Sequence, residues 1–299
     1  MKKRFLLLLI WIAQNVAAQE VIFRNPKDST QNFYQQYLPN AAPKGLIMVF
    51  YGQFSNPKLA TDAGFVLVSI TPEADYFQTL FAANILKMSN EMIAEICQKN
   101  KIPTNKVIMG GLSAAGTLAL RLAEEGHKPK RNKLTIKPAA VFAIDPPLDY
   151  ERFWVECNRK VKLNFHPVAV GEGREVLRRL KMAFGGSPAQ FQQKYWAAAP
   201  YSHNAPNGGQ IALLKNMPIR IYHEPDVDWW IENRRQDYSA MNSVDCAGAI
   251  NDLRILGNTR AQLIGTTNRG YREDGTRHPH SWSIVDEKDL VDWCLEVVK

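Results

Sequence analysis

The chain has 299 residues and a formal net charge of +8, and 45% of its residues are hydrophobic and 10% aromatic. This composition excludes an intrinsically disordered chain, and 18 Gly and 17 Pro without a fixed period exclude a collagen-like or low-complexity one. The length suits a large domain with a substantial core. The positive charge raises the question of a nucleic-acid partner, but the sequence carries no recognised nucleic-acid-binding motif, so we expect none.

The N-terminus has the layout of a secretory signal peptide. Met1-Lys2-Lys3-Arg4 precedes an apolar run at 5–12, and the small residues Val16-Ala17-Ala18 follow shortly after it. This run is far shorter than the ~20 residues that span a bilayer, so we expect no stable membrane insertion. The sequence therefore predicts a signal peptide over 1–18, cleaved before Gln19, and a protein exported to the periplasm or the extracellular medium.

Beyond residue 18, short apolar runs alternate with segments of helical spacing. Strands are predicted at 21–23, 33–38, 45–50, 64–70, 106–109, 139–144, 218–223 and 261–266. Helices are predicted at 75–99, from a Gly-rich turn after 109 to about 125, and at 281–299. Continuous apolar runs are typical of strands that are buried on both faces. This alternation predicts an α/β fold with a doubly wound, mostly parallel sheet and helices on both faces.

One long stretch interrupts the alternation. Between about 149 and 215 the sequence has no convincing buried strand, only helix-like pieces at 172–184 and 188–196. An insertion of this length between two sheet strands is typical of a helical lid. We therefore expect one domain over residues 19–299, with a lid insertion at about 149–215.

The segment 106–117 contains the pattern of a serine nucleophile. A predicted strand runs into Gly111-Leu112-Ser113-Ala114-Ala115-Gly116, and a predicted helix follows. A serine at such a turn needs very small neighbours, because the turn is strained and the strand and helix approach closely. The N-terminus of the helix also offers backbone N–H groups to a developing oxyanion. Ser113 is the predicted nucleophile and the N–H of Ala114 the first oxyanion donor.

On this motif the sequence resembles the α/β-hydrolase superfamily, over nearly the whole chain beyond residue 18. The similarity is to secreted serine esterases and to prolyl-oligopeptidase-like hydrolases that lack a propeller domain. The resemblance implies the α/β-hydrolase fold and a triad in the order Ser, acid, His, with each residue after a different strand. It implies no metal and no cofactor.

The predicted acid is Asp226. In the superfamily the acid commonly lies three residues beyond a Gly that ends a strand, and Asp226 has that spacing from His223, although the Gly itself is missing. Asp228 is therefore an open alternative. Asp145 is a third choice, but two prolines follow it, which favours a role in a turn.

The predicted base is His280. It lies in the loop before the last predicted helix and precedes Ser281-Trp282, which resembles the His-Ser/Thr-Trp context of several secreted esterases. His278 is the alternative. The pair His278 and His280 also raises a metal site, but no carboxylate or Cys stands at ligand spacing nearby, so we expect no metal.

The second oxyanion donor is expected in the loop after the strand at 45–50. Tyr51-Gly52-Gln53-Phe54 occupies the place where relatives often carry His-Gly-x, which implies that the N–H of Gln53 acts with that of Ala114. Removal of one such donor costs about 3 kcal/mol of transition-state stabilisation.

The predicted function is that of an exported serine esterase with a small-molecule or glycan ester as substrate. Trp229, Trp230 and Trp282 lie next to the predicted acid and base, where they can stack on a sugar or an aromatic acyl group or pack the loop bases. A peptidase or an acyltransferase would use the same triad. A non-catalytic binding module with this fold is the alternative from another class.

Overall fold

The computed structural model describes residues 19–25, 27, 31–73, 75–129 and 136–299. The predicted signal peptide, 1–18, lies outside the described residues. Within the described part of the chain, no helix is both long and apolar enough to cross a membrane.

A single eight-stranded sheet forms the centre of the described structure. Its strands are β1 (Gln19–Phe23), β2 (Phe33–Tyr37), β3 (Gly45–Phe50), β4 (Phe65–Thr71), β5 (Val107–Leu112), β6 (Ala140–Ile144), β7 (Ile219–His223) and β8 (Ala261–Gly265). Their order across the sheet is β1-β2-β4-β3-β5-β6-β7-β8. β2 is antiparallel to both β1 and β4, and all the other neighbours are parallel. The predicted mostly parallel sheet is confirmed.

Helices cover both faces of the sheet. They are α1 (Lys58–Asp62), α2 (Gln78–Phe81), α3 (Ala83–Asn100), α4 (Ala114–His127), α5 (Tyr150–Leu163), α6 (Pro167–Phe184), α7 (Pro188–Ala198), α8 (Val227–Arg234), α9 (Ser243–Ile255) and α10 (Glu287–Val297). Short 3-10 turns lie at Thr104–Lys106, Pro206–Leu214, Tyr238–Ala240 and Trp282–Ile284.

The core consists of two apolar layers separated by the sheet. Side chains of β3 alternate between them, since successive residues of a strand point to opposite faces. Leu46 and Met48 pack with residues of α3, α4 and α9 on one face. Ile47 and Val49 pack with residues of α1 and α10 on the other. Burial of β3 on both faces explains its unbroken apolar sequence. Because β3, β5 and β6 are parallel neighbours, they end at the same edge of the sheet.

The segment between β6 and β7 carries three helices, α5, α6 and α7, in agreement with the predicted helical character of 149–215. These helices form an apolar cluster of their own, in which the rings of Phe184 and Tyr195 lie 4.4 Å apart. Ala114, at the start of α4, belongs to the same cluster. The insertion therefore packs directly beside Ser113, and its action as a lid stays a prediction.

Candidate active site

Ser113 lies at the junction between β5 and α4 in a strained backbone conformation. Its φ is 58° and its ψ −128°, a region that residues with a side chain rarely adopt. A Cβ at Gly111 would lie 2.7 Å from the Cβ of Ala115, and one at Gly116 would lie 2.7 Å from the carbonyl oxygen of Gly111. The turn therefore requires the very small neighbours that the sequence provides.

His280 lies in the loop between β8 and α10, and its imidazole contacts a carboxylate. Its Nδ1 is 2.6 Å from Oδ2 of Asp145, although 135 residues separate the two in sequence. Asp145 directly follows β6, which is the sheet neighbour of β5, and its φ is 44°. The Asn242 side chain donates to the Asp145 carbonyl oxygen at 2.8 Å and so holds the turn in place.

The predicted acid has a different set of partners. Oδ1 of Asp226 accepts from the backbone N–H of Trp229 at 3.0 Å, and Oδ2 accepts from Arg277. Asp226 is thus the N-cap of α8 and half of an ion pair, which satisfies both of its oxygens. Asp228 is exposed in the first turn of α8. The assignment of Asp226 as the partner of His280 is therefore corrected, because Asp145 holds that place.

His278, the alternative base, lies in an aromatic environment. Its ring centroid is 4.6 Å from that of Trp229 and 5.8 Å from that of Trp230. Burial, with smaller contributions from neighbouring positive charges, lowers the pKa of His278 to about 4. A neutral imidazole packed against two indoles is suited to a structural role. Among the described residues, no group of three His, Cys, Asp or Glu side chains is arranged to hold a metal ion.

Glu224 organises the loop that carries His280, and sequence reasoning missed it. Its buried carboxylate accepts from the Thr266 hydroxyl at 2.8 Å and from the backbone N–H groups of Arg269 and Gly270 at 2.9 and 3.1 Å. Arg277 completes the set with an ion pair at 2.6 Å. A buried charge with this many partners fixes the loop to the end of β7.

Ser113, Asp145 and His280 line one cavity of about 90 Å³. The insertion contributes Lys160 and Glu172 to its wall. The rest of the wall is polar at Glu224, Gln236, Asn242 and Ser243 and apolar or aromatic at Pro147, Phe153, Trp230, Ala240 and Met241. A small cavity with mixed polar and apolar walls, some of them charged, therefore surrounds the serine and the imidazole.

The two predicted oxyanion donors and Trp282 differ in their exposure and contacts. Ala114 is buried at the start of α4, whereas Gln53 is exposed in the loop after β3. The indole N–H of Trp282 donates to Glu287 at 2.8 Å, and its ring packs against Phe54 with centroids 5.8 Å apart. Trp282 is thus a packing residue of the loop base. The use of Ala114 and Gln53 as oxyanion donors stays a prediction.

Several solved structures resemble this one in fold. A carbohydrate esterase from gut microbiota has a TM-score of 0.60 at 14% identity, with 96% of this chain and 98% of that chain covered. An S-formylglutathione hydrolase from Agrobacterium tumefaciens has a TM-score of 0.55 at 14% identity, covering 96% and 99%. A bifunctional GH43-CE protein from Bacteroides eggerthii has a TM-score of 0.53 at 15% identity; 94% of this chain matches only 38% of that longer chain.

These similarities concern the fold. No protein-family model matches the sequence, and no curated protein matches it. The strand order and the resemblance to solved hydrolases together confirm the α/β-hydrolase fold that the sequence predicted.

Proposed function

We propose that the chain is a serine hydrolase that cleaves ester bonds, with Ser113 as nucleophile, His280 as general base and Asp145 as the acid. The observation that carries the proposal is the hydrogen bond between His280 Nδ1 and Asp145 Oδ2, at 2.6 Å, in a cavity that Ser113 also lines. Ser113 stands there on a strained strand-to-helix turn, as an activated serine does in this fold. A carboxylate after β6 replaces the one expected after β7.

The chemistry follows from the bonding of His280. Because the Asp145 carboxylate only accepts hydrogen bonds, the imidazole carries its proton on Nδ1 and leaves Nε2 with a lone pair. Nε2 takes the proton of Ser113 as the hydroxyl oxygen attacks the acyl carbon, and returns it to the leaving alcohol. Water then gives a proton to Nε2 as it attacks the acyl carbon, and the Ser113 oxygen leaves and takes that proton back, which releases the carboxylic acid. Asp145 stabilises the imidazolium in each half-reaction.

The pH dependence of the activity should reflect the protonation of His280. Burial acts to lower the pKa of His280, but its hydrogen bond to Asp145 and the charge of that carboxylate outweigh burial, so the pKa is raised above 6.5. His280 accepts a proton only when neutral, so activity is lost as the pH falls through this raised pKa. We expect the acid limb of kcat/KM to have its midpoint above pH 6.5 when rates are measured between about pH 5 and pH 8. Full activity retained down to about pH 5 would argue against this base.

The lining of the cavity favours a short acyl group and a hydroxyl-rich alcohol. Its volume of about 90 Å³ leaves little room beside Ser113, and Lys160, Glu172, Gln236 and Asn242 supply donors and acceptors for hydroxyl groups. The fold similarity to a carbohydrate esterase agrees with this chemistry. A glycan ester is therefore the proposed substrate class. Export by the N-terminal segment 1–18 would bring the enzyme to such substrates outside the cytoplasm.

Active-site labelling tests the proposal directly. We expect a fluorophosphonate probe to label the folded protein on Ser113, as located by peptide mass spectrometry, and p-nitrophenyl acetate to be hydrolysed. Acetylated sugars should be cleaved faster than the corresponding amides. A folded sample that is neither labelled nor active would contradict a catalytic role and would favour a binding module. The Ser113→Ala variant is the matched control for labelling.

A further inference from the structure

The Tyr76 hydroxyl contacts the backbone on both sides of Ser113. Tyr76 lies in the turn after β4, outside the motifs that sequence reasoning selected. Its hydroxyl donates to the carbonyl oxygen of Leu112 at 2.9 Å and accepts from the N–H of Ala115 at 3.2 Å. The phenol oxygen is therefore held at the N-terminus of α4, beside the nucleophile.

Hydrogen-bond donors of the backbone and of Ser113 surround the Tyr76 hydroxyl. Burial raises the pKa of Tyr76, while hydrogen bonds to the phenol oxygen from the amide of Ala115, the side chain of Ser113 and the amide of Ala114 act to lower it. The phenol stays protonated because its pKa lies above the ordinary value of 10.0. It can therefore donate a hydrogen bond throughout the neutral pH range.

Tyr76 is held by a contact of its own ring and by contacts of its two sequence neighbours. It packs edge-on against Tyr51, with centroids 5.1 Å apart. Next to it, the Asp75 carboxylate forms an ion pair of 2.7 Å with Arg179 of α6. The guanidinium of Arg179 also lies over the ring of Phe77, 5.0 Å from its centroid. The turn at 75–77 is thus anchored to the insertion, which pre-organises the hydroxyl at little entropic cost during the reaction.

We propose that Tyr76 is a catalytic residue whose hydroxyl donates to the oxyanion, together with the N–H of Ala114, in the place that the sequence assigned to Gln53. This inference rests on the proposed hydrolase function. When a tetrahedral intermediate forms on Ser113, its oxyanion accepts a hydrogen bond from the N–H of Ala114. The phenol proton turns from the neutral Leu112 carbonyl oxygen to the developing anion. A hydrogen bond to an anion is stronger than one to a carbonyl, so the exchange stabilises the transition state more than the ground state.

The Tyr76→Phe variant tests this role. We expect kcat to fall by about 10²–10³-fold with little change in KM, because the lost bond forms only in the transition state. The affinity for a trifluoromethyl ketone analogue, which forms a tetrahedral adduct on serine, should fall by a similar factor. Tyr195→Phe is the matched control, since it also removes a hydroxyl that donates to one backbone carbonyl oxygen, that of Gly186, at 2.8 Å. Its kcat and analogue affinity should stay close to those of the parent protein.

The two proposals fail in different ways. Absence of labelling and turnover in the parent protein would overturn the hydrolase function itself. An active parent with a Tyr76→Phe variant of equal or higher kcat would overturn only the oxyanion role, and a higher kcat would identify the hydroxyl as a block on the anion site. Thermal unfolding of both variants verifies that they are folded. Equal losses of kcat in Tyr76→Phe and Tyr195→Phe would also contradict the oxyanion role.

Discussion

The Ser113→Ala variant should lose at least about 10⁴-fold in kcat for p-nitrophenyl acetate, because no nucleophile then remains to form the acyl-enzyme. A small residual rate is expected, since the backbone donors near the serine still stabilise an oxyanion when water attacks. Steady-state rates of the purified variant, compared with the buffer rate, measure the loss. A variant that keeps a tenth or so of the parent rate would exclude Ser113 as the nucleophile.

Substitutions of Ser113 also test the backbone strain at this turn, independently of catalysis. A non-glycine residue at φ 58° and ψ −128° carries backbone strain of about 1–3 kcal/mol. Ala keeps this strain, whereas Gly relieves it but loses about 0.4–1 kcal/mol through the greater entropy of its unfolded chain. We expect Ser113→Gly to have a free energy of unfolding about 1 kcal/mol above that of Ser113→Ala, with both inactive. Denaturant unfolding measures the difference, and a less stable Gly variant would show that the turn carries no strain.

Most of the fold could be predicted from the sequence because the sheet strands are apolar runs buried on both faces. β3 and β6 have this character throughout, so their existence and parallel arrangement follow from local pattern. The predicted helix at 75–99 is instead two helices, α2 and α3, because Ala82 has an extended backbone with ψ 132°. Nothing in an alanine marks such a break. α9 was missed, although its buried Cys246, Ala249, Ile250 and Leu253 have helical spacing.

The candidate site was predictable only where its chemistry is local. Ser113 is marked by its own small neighbours, and His280 by its place before the last helix. The partner of His280 depends on which loops meet at the edge of the sheet, and 135 residues separate it from Asp145. The prolines after Asp145 indicated only a turn, yet that turn aims the carboxylate at the imidazole. The contacts of Tyr76 and Glu224 likewise depend on how distant loops meet. The spacing of residues in the sequence therefore does not predict them.

Exchange of carboxylate for amide at two positions tests the corrected assignment of the acid. Asp145→Asn should lower kcat by about 10³–10⁴-fold, because the amide can donate to Nδ1 and hold the imidazole in the tautomer that cannot accept the serine proton. Asp226→Asn should leave kcat within about threefold of the parent, since its oxygens serve a helix cap and an ion pair and Asn is also a good N-cap. Steady-state kinetics on both variants provide the comparison.

The pH profile separates an acid that acts on His280 from one that only supports the fold. Loss of the Asp145 charge removes the interaction that raises the pKa of His280, so the acid limb of any residual activity should move to lower pH in Asp145→Asn. In Asp226→Asn the limb should stay where it is in the parent, because that carboxylate is bonded to Arg277 and to the backbone of Trp229. The reverse pattern, with a large loss and a shifted limb only in Asp226→Asn, would restore the acid after β7. The position of the acid, after β6 or after β7, therefore follows from two variants and one titration.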